Sequence, residues 1–108
     1  MSSKNQPSPR IQAKVVFLRA DEGGWSRPHY SGSRSQLKVG DILTSCILWG
    51  PTPESLFEPG IESNLSLELM FWEECGHVIH NGMSIQLSEG SRIVGKGVVT
   101  GVIAPSSL

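Results

Sequence analysis

The chain has 108 residues and a formal net charge of −1, with 9 Lys/Arg against 10 Asp/Glu. That length makes one domain, able to bury about 65% of its unfolded surface, and the near-neutral charge excludes the broad positive field of a non-specific nucleic-acid binder. Its 12 Gly and 7 Pro are spread as turn punctuation and no sustained i, i+3, i+4, i+7 apolar stripe exists, which excludes an α-rich fold and favours many short strands.

The charge is unevenly placed. Residues 1–38 hold seven Lys/Arg against two acids, whereas residues 39–108 hold two against eight. A local basic face from the N-terminal third stays open beside the plainer reading, that these charges solvate a surface.

The first ten residues, MSSKNQPSPR, are polar and patternless, predicting a disordered lead-in over 1–10 ahead of a domain at 11–104 and a tail at 105–108. They contain no apolar signal segment, and no run approaches membrane-spanning length, so a cytoplasmic protein without a membrane partner is expected. Ile11–Leu18 predicts a first strand, with Ile11, Ala13, Val15 and Phe17 on one face and Gln12, Lys14, Val16 and Leu18 on the other. Ala20–Ser35 predicts a long loop, because Gly23-Gly24, Pro28 and Gly32 interrupt regular structure. Arg27, His29, Tyr30 and Arg34 crowd into it. Arg grips phosphate bidentately and Tyr stacks on bases; the plainer reading is a loop whose Trp25 and Tyr30 cap a barrel end.

Gln36–Trp49 predicts one extended segment bent at Val39-Gly40-Asp41, and the proline-rich Gly50–Gly60 predicts a loop. Leu65–Trp72 predicts a strand in which Leu65, Leu67, Leu69 and Phe71 alternate with Ser66, Glu68, Met70 and Trp72, followed by a turn region over Glu73–Gly82.

Met83–Ile103 is the most strongly patterned stretch. Met83, Ile85 and Leu87 alternate with Ser84, Gln86 and Ser88, Glu89-Gly90-Ser91 supplies a turn, and the second arm is β-branched but broken by Gly95, Gly97 and Gly101. Strand glycines mark bulges, bends or close backbone approach, and three in one strand suit a small closed barrel. The expected fold is all-β, a closed antiparallel barrel of about six strands with no helix.

Chemistry-bearing clusters are sparse. Cys46 and Cys75 are too few for a disulfide scaffold and point to a reduced interior, with one bridge left open. Cys75, His77 and His80 carry zinc-ligand chemistry, with Glu73, Glu74 or Cys46 as a fourth donor, but not in a usual zinc spacing; two exposed histidines in a turn is the plainer reading. No Gly-x-Ser-x-Gly elbow accompanies the serines, so hydrolase activity is not expected. Trp49, Phe57, Phe71 and Trp72 read as core or barrel-end cover rather than a ligand cage.

Two segments resemble the C-terminal β-barrel domain (domain 3) of elongation factor Tu. Glu22-Gly23-Gly24 with Pro28, Tyr30, Gly32, Arg34 and Gln36 is similar to that family's Glu-Gly-Gly, Pro, aromatic pair, Gly and Arg-Pro-Gln. LSEGSRIVGKGVV resembles its IREGGRTVGAGVV, and Pro59-Gly60 falls at its Met-Pro-Gly-Asp turn. The likeness runs roughly from Gln12 to Ile103. Ser35 departs from the proline, His29 from the first aromatic, and Gly40–Ser45 from a Thr-Thr-Asp-Val-Thr-Gly run; the stretch from Gly60 to Glu89 is a few residues longer. No phosphate-cradling Gly-x-x-x-x-Gly-Lys loop is present, and Gly95-Lys96-Gly97 inside a strand cannot serve as one. Neither nucleotide binding nor any cofactor is expected of these residues, which correspond to a stand-alone barrel without the family's GTPase domain and second barrel.

The resemblance implies a non-catalytic, translation-related module that binds the T-stem of tRNA weakly. Gln36 and Glu89 match T-stem-contacting positions in type, Ser45 stands where the family has Thr, and Gly90 matches a glycine whose backbone reaches the nucleic acid. Arg34 either contacts phosphate or supports its loop. Small polar groups suit RNA, because its wide, shallow minor groove offers 2′-hydroxyls and base edges. The alternative is a protein-interaction module that kept the barrel and lost RNA, docking on a separate GTPase or translation factor; near-neutral charge favours it.

Overall fold

The structure is a computed structural model and describes residues 9–24 and 28–103. Residues 1–8 of the expected lead-in, Trp25 and Arg27 of the long loop, and the tail at 105–108 lie outside the described residues. Arg10, assigned to the lead-in, instead opens the first strand.

Among the described residues eight strands appear in order: β1 (Arg10–Phe17), β2 (His29–Tyr30), β3 (Arg34–Val39), β4 (Ile42–Trp49), β5 (Leu56–Phe57), β6 (Glu62–Leu69), β7 (Ser84–Glu89) and β8 (Arg92–Ile103), with one short helix, α1 (Trp72–Cys75), between β6 and β7. Six of them close an antiparallel barrel in the order β1-β6-β4-β3-β7-β8, β8 pairing back onto β1, while β2 and β5 form a separate two-stranded ribbon. The all-β barrel expected from the strand patterning is the fold, and the expectation of no helix is corrected by the single turn of α1.

Period-2 alternation builds the interior. Ile11, Ala13, Val15 and Phe17 of β1 are buried, and so are Leu37 and Val39, Cys46 and Leu48, Leu65, Leu67 and Leu69, and Ile85 and Leu87. Between them Lys14, Lys38 and Asn64 are exposed. Strand β8 meets the interior differently. Its register slips twice, leaving Val94 extra against β7 and Thr100 extra against β1. The first bulge puts Val94 and Gly95 both inside, and bulges of this kind increase local twist and bend the strand around a barrel. Gly97 is required by β1 itself: a Cβ there would lie 2.5 Å from the Lys14 carbonyl oxygen and 2.8 Å from Val15 Cγ2.

Several boundaries differ from the sequence expectation. Val39-Gly40-Asp41 is no bend in one segment: Val39 pairs with Ile42, so Gly40-Asp41 is a two-residue hairpin turn with Gly40 at φ 59°. The two regions read as loops each donate one strand of the β2–β5 ribbon. β6 begins at Glu62 and stops at Leu69, and Trp72 belongs to α1 rather than to the strand. There the chain must close the barrel end, and α1 with the 3-10 turn at Gly76–Val78 does so, burying Cys75 and Ile79 and packing Trp72 against the core. Among the described residues, no helix is long and apolar enough to cross a membrane.

Candidate functional site

The opposite barrel end carries the β7–β8 turn. Glu89 pairs with Arg92, leaving Gly90-Ser91 as the turn, with Gly90 at φ 63°. That left-handed conformation favours glycine, and the space above it is open, since a Cβ on Gly90 would meet nothing within 4 Å.

Beside this turn, β3 is a central strand. Gln36 faces outward and pairs with Ser45 of β4 on one side and Ser88 of β7 on the other. The Ser88 hydroxyl donates to Gln36 Oε1 at 3.3 Å, so the Gln36 Nε2 group is the donor left for a ligand. Ser35 points inward, its Oγ 3.0 Å from the Gln36 carbonyl oxygen and 3.3 Å from that of Ser88, where the β3–β7 ladder ends. The result is a shallow depression of about 270 Å3 lined by Arg34, Ser35, Gln36, Ser45, Ser88, Glu89 and Gly90. All five residues singled out in the sequence, Arg34, Gln36, Ser45, Glu89 and Gly90, are therefore brought to one place. Arg34 is exposed, and among the described residues it takes part in neither of the Arg–carboxylate pairs, Arg10–Glu68 and Arg19–Asp21.

Glu89 forms the inner wall. It is half-buried, and burial raises its pKa above the ordinary carboxylate value. Its Oε2 lies 3.9 Å from Nε2 of His29. His29 is only 3% exposed, its ring stacks on Phe17 at 4.2 Å, and Phe17 stacks in turn on Phe57. Burial lowers the His29 pKa, so both members of the pair are pushed toward their neutral forms. Tyr30, expected to cap this end, is instead 58% exposed. His29 is the ring that plugs it. The signal was present in the sequence: His29 stands at an aromatic position of the compared pattern, and here its ring stacks as an aromatic would.

The other candidate clusters do not converge. Cys46 and Cys75 are both buried free thiols, which closes the question of a bridge. Burial pushes Cys46 up to about 12, and Cys75 is raised by burial and by neighbouring Glu74. The Cys75 thiol is directed at the Phe71 carbonyl oxygen at 3.5 Å, while His77 and His80 are exposed. Among the described residues no group of three or more His, Cys, Asp or Glu side chains is placed to hold a metal ion. Phe57 is core and Trp72 packs against it, but Phe71 is 49% exposed, and the half-buried Trp49 spends its indole N–H on Glu68 Oε1 at 2.8 Å.

As chemistry, the depression offers donors (the Gln36 amide, the Arg34 guanidinium, the Ser45 hydroxyl) around one half-buried acceptor, Glu89. That set can read a polar surface carrying both amino and hydroxyl groups. No protein-family model matches the chain.

Proposed function

We propose that the chain is a non-catalytic binding module, translation-related and resembling the C-terminal barrel of elongation factor Tu, whose depression holds the minor groove of an RNA stem such as the tRNA T-stem. One observation supports this above the rest: Arg34, Gln36, Ser45, Glu89 and Gly90, scattered over 57 positions of the chain, meet in a single depression. Gln36 and Ser45 contact 2′-hydroxyls, Glu89 accepts from a guanine amino group, and the open space above Gly90 lets a sugar edge approach the backbone. Arg34 takes the adjoining phosphate.

The test is a titration of labelled tRNA at low salt. Wild type binds weakly, and Gln36→Ala and Glu89→Ala each weaken it roughly 2- to 12-fold, the worth of one net hydrogen bond. No binding by wild type, or wild-type affinity in both variants, removes the RNA reading.

A second reading has its own observation. Leu43 is 58% and Met70 37% exposed; Leu43 lies two positions from Ser45 on β4, and the Met70 amide donates to the Ser45 carbonyl at 3.1 Å. Apolar surface thus borders the depression, as a docking site for a protein such as a separate translation GTPase would require. Capture of that partner after nuclease treatment, abolished by Leu43→Asp, supports it over RNA.

A further inference from the structure

Two neighbouring depressions, of about 220 and 460 Å3, lie on the outer wall one step further from the turn and share Ser84, Ile85 and Gln86 of β7. Lys38 edges the first, and Lys14 and Lys96 edge the second. The ladder explains why the cations gather. Gln86 pairs with Lys38 of β3 on one side and with Lys96 of β8 on the other, and Lys14 of β1 pairs with Val98, two residues beyond Lys96. The Lys38 and Lys96 backbones are therefore two strand spacings apart, about 9.6 Å, with a polar amide between them.

These lysines are charged groups without local partners. All three are exposed, and none takes part in an ion pair among the described residues. Glu62, across the larger depression, is the one carboxylate lining either of them among the described residues. The chain as a whole carries more acids than bases, so three lysines outside any ion pair around two adjoining depressions run against its average. Gly95-Lys96-Gly97 is no backbone cradle, since Gly95, Lys96 and Gly97 all pair with β7 and β1. Its lysine side chain is a different matter: it stands on the outer face, free to move as a point charge.

The geometry points to a phosphate-binding track over Lys38, Lys96 and Lys14 that takes the sugar-phosphate backbone of the same RNA stem. The inference rests on the RNA reading for its ligand and extends it to a second contact. The track is contiguous with the first site: Gln36 and Ser88 form one cross-strand row, and Lys38 and Gln86 form the row two residues along. The three lysines can each neutralise one phosphate of the backbone. The depression reads the groove, and the lysines hold the backbone beside it.

The test separates the two claims by their salt dependence. Each phosphate contact contributes about 0.7 to 0.9 to the slope of log affinity against log salt. The triple variant Lys14→Gln/Lys38→Gln/Lys96→Gln, folded by circular dichroism, should lower the tRNA slope by about 2 to 3, whereas Gln36→Ala lowers affinity and leaves the slope as it was. Inorganic polyphosphate, which has no bases or sugars, is titrated in parallel and should bind wild type but not the triple variant. An unchanged tRNA slope together with unchanged polyphosphate binding in the triple variant overturns the track. Lysine-dependent polyphosphate binding with no tRNA binding to wild type overturns the RNA ligand and keeps the lysines as an anion site.

Discussion

The β3–β4 and β7–β8 hairpins lie side by side in the barrel wall and each turns on two residues, Gly40-Asp41 in one and Gly90-Ser91 in the other, opening on a left-handed glycine at φ 59° and 63° respectively. Their second strands diverge. β4 lines the interior with Thr44, Cys46 and Leu48, which fill their own space. β8 lines it partly with Gly95 and Gly97, because Phe17 and Val15 of β1 already occupy that space. Glycine thus answers to two unrelated demands in this wall, torsion at the turns and crowding inside β8. The spacing of glycines in a sequence does not tell them apart.

The largest effect that would break this comparison lies within β8. Gly97→Ala places a methyl 2.5 Å from the Lys14 carbonyl oxygen and 3.2 Å from Val15 Cα, both backbone atoms of β1 that cannot swing aside. The β1–β8 seam must open, at a cost of about 3 kcal/mol, which lowers the melting temperature by roughly 12 to 24 °C for a domain of this size. Gly101→Ala is the control, since its nearest contact would be 3.5 Å from Gln12 Cγ, an ordinary packing distance. It should stay within about 0.5 kcal/mol of wild type. Equal melting temperatures for the two variants would mean that crowding is not what holds glycine in β8.

The turns come next. Gly40→Ala and Gly90→Ala both force an L-residue into the left-handed region, at about 1 to 2 kcal/mol each, and chemical denaturation should find them alike. They part in binding. Gly90 edges the depression with Arg34, Gln36, Ser45 and Glu89, whereas Gly40 sits at the other barrel end, 3.8 Å from Met83 Cε were it an alanine. Under the RNA reading only Gly90→Ala weakens tRNA binding; equal loss from both would place the contact elsewhere.

How much of this was legible follows from which residues face inward. β1 and β7 declare themselves, because Ile11, Ala13, Val15 and Phe17, and then Ile85 and Leu87, alternate without interruption. β6 shows its pattern only from Leu65, since Ser63, the preceding position on the inward row, is polar and only half-buried. Met70 and Phe71 continue the alternation after the strand has ended, which disguises the start of α1. The candidate site was legible in its parts but not as a place. Gln36 meets Ser88 through β3–β7 pairing, a contact between residues 52 apart, and no local pattern encodes which strands become neighbours. For His29 only its place in the loop's aromatic pair gave a signal, as a two-residue strand is too short to show any period.

The smallest expected effect concerns the floor of the depression, where the two hairpins meet the plug ring. Burial holds the His29 pKa below its ordinary 6.5, so between that folded value and 6.5 the unfolded chain binds a proton that the folded chain refuses. Stability from this group is intact above pH 6.5 and falls as pH drops through the window. Glu89 acts in the other direction. Its pKa is raised above 4.5, so the folded chain holds the extra proton there, and lowering the pH through that window stabilises. The two windows oppose each other, and the attraction of Glu89 at 3.9 Å softens the His29 loss without reversing its sign. His29→Phe keeps the stack on Phe17 and removes the proton. Its melting temperature should fall less than that of wild type between pH 7.5 and 5.5, while Glu89→Gln should fall more as the pH is lowered toward 4.5. Superimposable pH profiles for wild type and His29→Phe would show that the plug ring does not titrate across that range, and that any change in the depression's charge there belongs to Glu89.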